Sequence, residues 1–152
     1  MIERIVSGGQ TGADRAALDW AIENRIPHGG WCPKGRLAED GPIPSRYNLT
    51  ETPSSNYPQR TEWNVRDSDG TVVFSIAPTL SGGSNKTVVF AQKHGKPVIH
   101  ISRQTEKPVE TLLRFIRSNG IRILNVAGPR GSKEPGIGEY VKRILDAARL
   151  QF

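Results

Sequence analysis

One cysteine in 152 residues, Cys32, leaves no internal disulfide framework and no Cys-pair zinc or iron–sulfur site. Long apolar runs are missing too: none approaches the roughly 20 residues that cross a bilayer. The opening residues Met1-Ile2-Glu3-Arg4-Ile5-Val6 lack a basic n-region, a long apolar stretch and a small-residue cleavage site, so no leader is expected and the cytoplasm is the expected compartment. Aromatic residues make up only 7% and do not interleave with basic ones, which removes the usual RNA-binding signature. The three histidines, His28, His94 and His100, are far apart in sequence, and His100 inside an apolar run reads as a core or edge residue rather than a base.

Hydrophobic residues at 36% and charged residues at 24% suit a folded chain, and the length suits one domain over residues 1–152. Lysine and arginine number 21 against 15 acids, a formal charge of +6. The basic residues form nothing longer than pairs such as Lys142-Arg143, with acids interspersed, which argues against nucleic acid and for a small anionic ligand.

Short apolar runs alternate with helical periodicity. Ile2–Val6, Thr71–Ser75, Pro97–Ile101 and Arg122–Val126 read as strands, the second as a buried parallel one. Each is followed by apolar residues at helical spacing; in the last case Ile137, Tyr140, Val141, Ile144, Leu145 and Ala148 form one stripe. This alternation predicts an α/β doubly wound domain with a mainly parallel central sheet and helices on both faces. Residues 33–58 interrupt it with five of the chain's 11 prolines, a long loop with short strands expected at Gly30–Cys32 and Tyr47–Leu49. Gln59–Asp67 then reads as a helix, and Asp69-Gly70 as the turn into the next strand.

Three glycine-bearing loops each follow a strand and open a helix: Ser7–Gly12, Thr79–Thr87 and Ala127–Gly131. Such loops gather beyond the carboxyl ends of the strands, where glycine allows close backbone approach and helix N-termini favour oxyanions. Familiar fingerprints are absent. Gly8-Gly9-Gln10-Thr11-Gly12 is not G-x-G-x-x-G, Asn85 stands where a P-loop has glycine before its lysine, and there is no G-x-S-x-G elbow. Around the loops, Asp14 suits a helix start and Arg15 is within reach of an anion. Lys34, Arg36 and Arg46 crowd the proline-rich loop, and Arg60 and Asn64 share a helix face beside Thr61. Asp67 and Asp69 read as turn and cap residues ahead of Mg²⁺ ligands. Trp31 and Trp63 are either core or stacking platforms for a flat heterocycle. Cys32 is either a small buried hydrophobe or a contact for a soft metal.

The stretches Ser7–Asp19, Gly29–Arg36, Ala38–Pro44, Gln59–Thr61, Asn64–Thr71, the glycine turn at 81–83 and Asn125–Arg130 together closely resemble the molybdenum carrier proteins, also called molybdenum cofactor carrier proteins. That family looks like a circularly permuted branch of the superfamily containing the nucleoside-monophosphate phosphoribohydrolases and lysine-decarboxylase-like proteins. The resemblance implies a Rossmann-like fold, a homo-tetramer, and binding of molybdenum cofactor (molybdopterin) or molybdate as a ligand, with transfer to molybdoenzymes. On this reading Gly8, Gly9, Gln10, Thr11, Gly12, Ser81, Gly82, Gly83, Ser84 and Thr87 hold phosphate or oxometal oxygens. Arg15, Lys34, Arg36, Arg60 and Arg130 supply charge, with Asp14, Thr61 and Asn64 beside them. The backbone N–H groups after Gly12 and Gly83 are the expected core of the anion site. The hydrolase branch carries P-G-G-x-G-T-x-x-E. Aligned on Gly82-Gly83, this chain has Asn85, Lys86 and Val89 at the third Gly, the Thr and the catalytic Glu. Val89 transfers no proton, so a carrier without turnover is expected. The alternatives are a nucleotide sensor, or a hydrolase using Asp14, Glu62 or Asp67.

Overall fold

The β-branched run after Asp69 becomes the buried middle of a five-stranded sheet. The computed structural model describes residues 1–152. In chain order these form β1 (Arg4–Val6), α1 (Ala13–Glu23), β2 (His28–Gly29), β3 (Trp31–Cys32), β4 (Leu37–Ala38), β5 (Gly41–Pro42) and β6 (Thr50–Glu51). There follow α2 (Tyr57–Arg66), β7 (Gly70–Ser75), α3 (Gly82–Lys93), β8 (Val98–Ser102), α4 (Pro108–Ser118), β9 (Ile123–Ala127), α5 (Ile137–Ala148) and a 3₁₀ turn over Arg149–Gln151.

The central sheet has the order β2-β1-β9-β7-β8, every pair parallel. All six residues of β7 are buried. Helices α1, α4 and α5 pack together in one layer, and α2 and α3 in the other. This is the Rossmann-like α/β arrangement the strand–helix alternation predicts. Counted from β7 and continued from α5 into β1, the sheet reads 2-1-3-4-5, the common doubly wound order joined between α2 and β7 and cut open between α5 and β1. Neighbouring strands β7 and β9 send their helices to opposite layers, so the ligand crevice of such a sheet lies between them.

A cluster of 23 buried apolar residues fills the sheet–helix interface, including Trp20, Phe74, Leu112 and Leu124. The α5 stripe is buried at all six expected positions. Trp20 closes α1 onto α5: its Nε1 donates to Asp146 Oδ1 at 2.7 Å, and its ring meets Phe152 edge-on at 5.7 Å.

The proline-rich stretch is more ordered than a loop. It forms two small sheets, β3 with β6 and β4 with β5. Beneath them lies a separate core of Leu18, Cys32, Ala38, Ile43, Tyr47 and Leu49. The strand expected at Tyr47–Leu49 is at Thr50–Glu51 instead, because Tyr47 and Leu49 are turned inward as core. The expected strand at Gly30–Cys32 is split: β2 ends at Gly29 and β3 starts at Trp31. Gly30, at φ 129°, moves the chain from the central sheet to the small one. A Cβ there would sit 2.3 Å from the Ser7 carbonyl oxygen. Gly30→Ala therefore combines a disfavoured backbone with a backbone clash. It is expected to destabilise the fold by about 2–4 kcal/mol, read as a lower urea midpoint.

Candidate functional site

At the carboxyl ends of β7 and β9 a cavity of about 570 Å³ opens between α2, α3 and the loops after β1 and β9. The size suits a small molecule. Only three of its 21 lining residues are hydrophobic.

Its floor is built around one buried ion pair. Gly8 has no Cβ, and a Cβ there would lie 2.3 Å from Arg60 Cδ, so the arginine lies directly over the β1 loop. Arg60 Nη1 donates to the Gly8 carbonyl at 2.9 Å and stands 3.7 Å from Asp14 Oδ2. Asp14 also accepts the Gln10 N–H at 3.3 Å. Burial nevertheless dominates Asp14 and raises its pKa to about 6, with Arg60 opposing the rise. Asn64, one turn along α2, accepts the Trp31 N–H and donates to the Trp31 carbonyl, tying α2 to β3. Asn125, a polar residue inside β9, donates to Thr71 Oγ1 at 3.1 Å and lines the cavity.

The rim is cationic. Lys86, Arg130 and Lys133 line it. Arg130 is 3.3 Å from Glu39, while Lys133 donates to the Ser81 hydroxyl at 2.7 Å; Lys86 forms no ion pair. Helix α3 starts here with no side-chain cap. The N–H groups of Gly82, Gly83, Ser84 and Asn85 make no hydrogen bond within the protein. Gly82 adopts φ 56°, and a Cβ on Gly83 would meet only open space. An uncapped helix start of this kind, ringed by cations, has the chemistry that suits an anion.

Of the residues singled out from sequence, Gly8, Gln10, Asp14, Arg60, Thr61, Asn64, Gly82, Gly83, Ser84, Thr87 and Arg130 line this cavity. Gly9, Thr11, Gly12, Arg15, Lys34, Arg36 and Ser81 are not among its lining residues, and most of them have visible structural work. Gly9 and Gly12 adopt φ 82° and 80° in close contact with Leu49 and with the Pro129–Gly131 backbone. Thr11 Oγ1 accepts the Gly131 N–H, and Ala13 N–H donates to the Pro129 carbonyl. The start of α1 is thus stoppered by the β9 loop rather than open to a ligand. Arg15 pairs with Asp40, 2.8 Å between Nη2 and Oδ1. Arg36 donates to the carbonyls of Ile43, Pro44, Tyr47 and Leu49, clamping the small sheets. Lys34 is exposed on the small-sheet side.

The remaining alternatives resolve in the same way. Trp31 and Trp63 pair edge-on at 4.8 Å and do not line the cavity; Tyr57 is its aromatic. Cys32 is fully buried in the small core. Glu62 is held by Lys93 and His94, and Asp67 by Arg66 and Trp31, leaving Asp14 as the cavity's carboxylate. Asp69 accepts the N–H groups of Arg122 and Ile123, a turn role. Sequence reasoning missed Asn56, Tyr57, Lys86, Asn125 and Lys133. The visible signals were an asparagine inside an apolar strand and lysines beside a glycine turn.

A carboxyl raised to about 6 takes up its proton on folding, so its favourable contribution is complete below the ordinary value of 3.8 and lost as pH rises through 6. Asp14→Asn should remove about 2 kcal/mol of the stability change between pH 4 and 6, read as the difference between wild-type and variant urea midpoints. Sulfate, whose charge is constant in this range, should bind wild-type more tightly below pH 6 and the variant equally across it.

Over residues 5–149 the sequence matches the circularly permuted YpsA SLOG family. A crystal structure of a "putative molybdenum carrier protein" from Syntrophus aciditrophicus SB is 48% identical, with 97% of this chain and 94% of that one covered and a TM-score of 0.91. No functionally curated protein matches. The cut-open 2-1-3-4-5 sheet and the sequence match agree: the chain belongs to the circularly permuted YpsA SLOG family.

Proposed function

We propose that this protein binds and carries a small phosphate-bearing ligand of the molybdenum cofactor (molybdopterin) type, or molybdate, without turning it over. The observation that carries this reading is the open start of α3, where Gly82, Gly83 and Ser84, with N–H groups unbonded within the protein, line a cavity rimmed by Lys86, Arg130 and Lys133. A terminal phosphate or an oxometal group suits those donors, and Tyr57 offers an apolar face for a heterocycle. Cys32 lies in the small core, so the metal would depend on the ligand's own sulfur atoms. The 48% identity to a protein described as a molybdenum carrier supports the same ligand class. Val89, at the position of the hydrolase Glu, is an exposed residue of α3 outside the cavity lining, which supports binding over hydrolysis.

One observation favours a second reading. Asp14, a cavity carboxyl titrating near pH 6, has the character of a proton donor for nucleotide hydrolysis. A nucleotide sensor would use the same α3 donors without that step. In either binding case the protein acts on small molecules; no helix is long and apolar enough to cross a membrane.

Protein from a cofactor-producing host is expected to restore a cofactor-free molybdoenzyme better than an inert protein does. Gly83→Val, placed where open space leaves the fold undisturbed, should fill the approach to α3 and reduce that transfer at least tenfold. Restoration no better than the inert control rejects the carrier; free base released from nucleoside monophosphates, and lost in Asp14→Asn, installs the hydrolase instead. The homo-tetramer belongs to the same proposal: light scattering should give about four times the 16.7 kDa chain mass, and a particle of one chain mass rejects it.

A further inference from the structure

The cavity contains a second uncapped helix start. Helix α2 begins after Asn56, whose side chain makes no capping bond, and has proline near its first position. The N–H groups of Tyr57, Gln59 and Arg60 make no hydrogen bond within the protein. Asn56, Tyr57, Pro58 and Arg60 line the same cavity as Gly82–Ser84. Helices α2 and α3 pack side by side, so the two N-termini serve one space.

A helix start alone is commonplace; Arg60 makes this one different. The residue is 8% exposed, and its Nε is the protein's one buried side-chain polar atom without a hydrogen-bond partner. Leaving a guanidinium N–H buried and unpaired is costly, and native proteins rarely do it. Asp14 pairs with Nη1 at 3.7 Å rather than with Nε. Tyr57 stacks at 5.1 Å from the guanidinium and supplies no acceptor there. Nε itself is sealed against the Gly8 loop, but Nη2 of the same cavity-lining guanidinium has no hydrogen bond within the protein, so Arg60 and the α2 start form an anion pole of their own, on a different helix from the α3 pole.

We propose that the cavity holds a single ligand by two anionic groups, one at the start of α3 with Lys86 and Lys133, the other at the start of α2 with Arg60. The ligand class is a small molecule with two separated anionic groups, either a bisphosphate or a phosphate ester whose far end carries a second oxyanion. This rests on the reading that α3 holds an anion. A ligand fixed at both poles makes its second contact intramolecularly, so its affinity exceeds that of a mono-anionic analogue without further contacts.

Sulfate and two nucleotides test this on the intact chain. In wild-type protein, titration with sulfate should shift two independent sets of amide resonances, Gly82–Asn85 and Tyr57, Gln59 and Arg60. Adenosine 3′,5′-bisphosphate should bind at least tenfold more tightly than adenosine 5′-monophosphate. Asn56→Asp places a carboxylate at the N-cap of α2, and Ser81→Asp one at the N-cap of α3 beside Lys133. Both additions suit a helix start, so both variants should fold. Each should abolish its own set of sulfate shifts, keep the other set, and lower the bisphosphate to monophosphate affinity. Sulfate shifts confined to Gly82–Asn85 overturn the second pole and leave the α3 reading standing. Shifts at neither helix, or at α2 alone, overturn the α3 reading. Shifts at both helices with equal affinity for the two nucleotides overturn the single two-ended ligand.

Discussion

The contact between Gly8 and Arg60 is the constraint on which the site depends. A side chain at position 8 would occupy the space of the Arg60 Cδ and Nη1 atoms. Its absence lets α2 drop its guanidinium onto the β1 loop, within reach of the Gly8 carbonyl and Asp14. This one approach fixes α2 against the sheet, and Asn64 repeats the tie one turn later through Trp31. Between them they set the wall that the cavity shares with α3. Buried pairs of this kind contribute little net stability, because the desolvation of two charges offsets most of their attraction. Their value here is positional: they hold a polar wall in one geometry.

The glycines of the two anion-like loops divide accordingly. In the β1 loop, Gly9 and Gly12 have positive φ and are packed tightly by the protein itself. The Pro129 carbonyl occupies the start of α1, as a bound anion would. At Gly83 the same residue type leaves open space, and the N–H groups of Gly82 and Gly83 are unbonded within the protein. Glycine in a strand-to-helix loop thus has two uses, close packing of protein on protein and access for a ligand. Sequence pattern alone does not separate them.

That limit explains what was legible. The sheet and its helices were readable because burial on both faces demands β-branched runs such as Thr71–Ser75, and a one-sided helix demands the stripe from Ile137 to Ala148. The small sheets were not, since strands of two residues carry no periodicity, and the carbonyls that gather around Arg36 come from four positions between 43 and 49. Arg60 and Asn64 were found through their shared helix face, whereas Arg15 and Arg36 had the same charge and proximity to glycine yet serve the scaffold. Lys86 and Lys133 escaped notice because their placement depends on how the β7 and β9 loops meet in three dimensions.

The cut-open sheet order has a kinetic consequence. Strand β9 sits between β1 and β7, and its pairing with β1 joins segments such as Ser7 and Val126 that lie 119 residues apart. Until β9 inserts, β1 with β2 and β7 with β8 are two separate half-sheets, each with an open edge. Closing the chain over so long a separation is entropically slow, so insertion of β9 belongs late in folding. The cavity is lined by the segment after β1, by α2, by the start of α3 after β7 and by β9 itself, and the loop after β9 stoppers α1. Ligand-binding competence therefore arrives in one cooperative step with the last strand, and a nascent chain that has formed only its half-sheets has no site to fill.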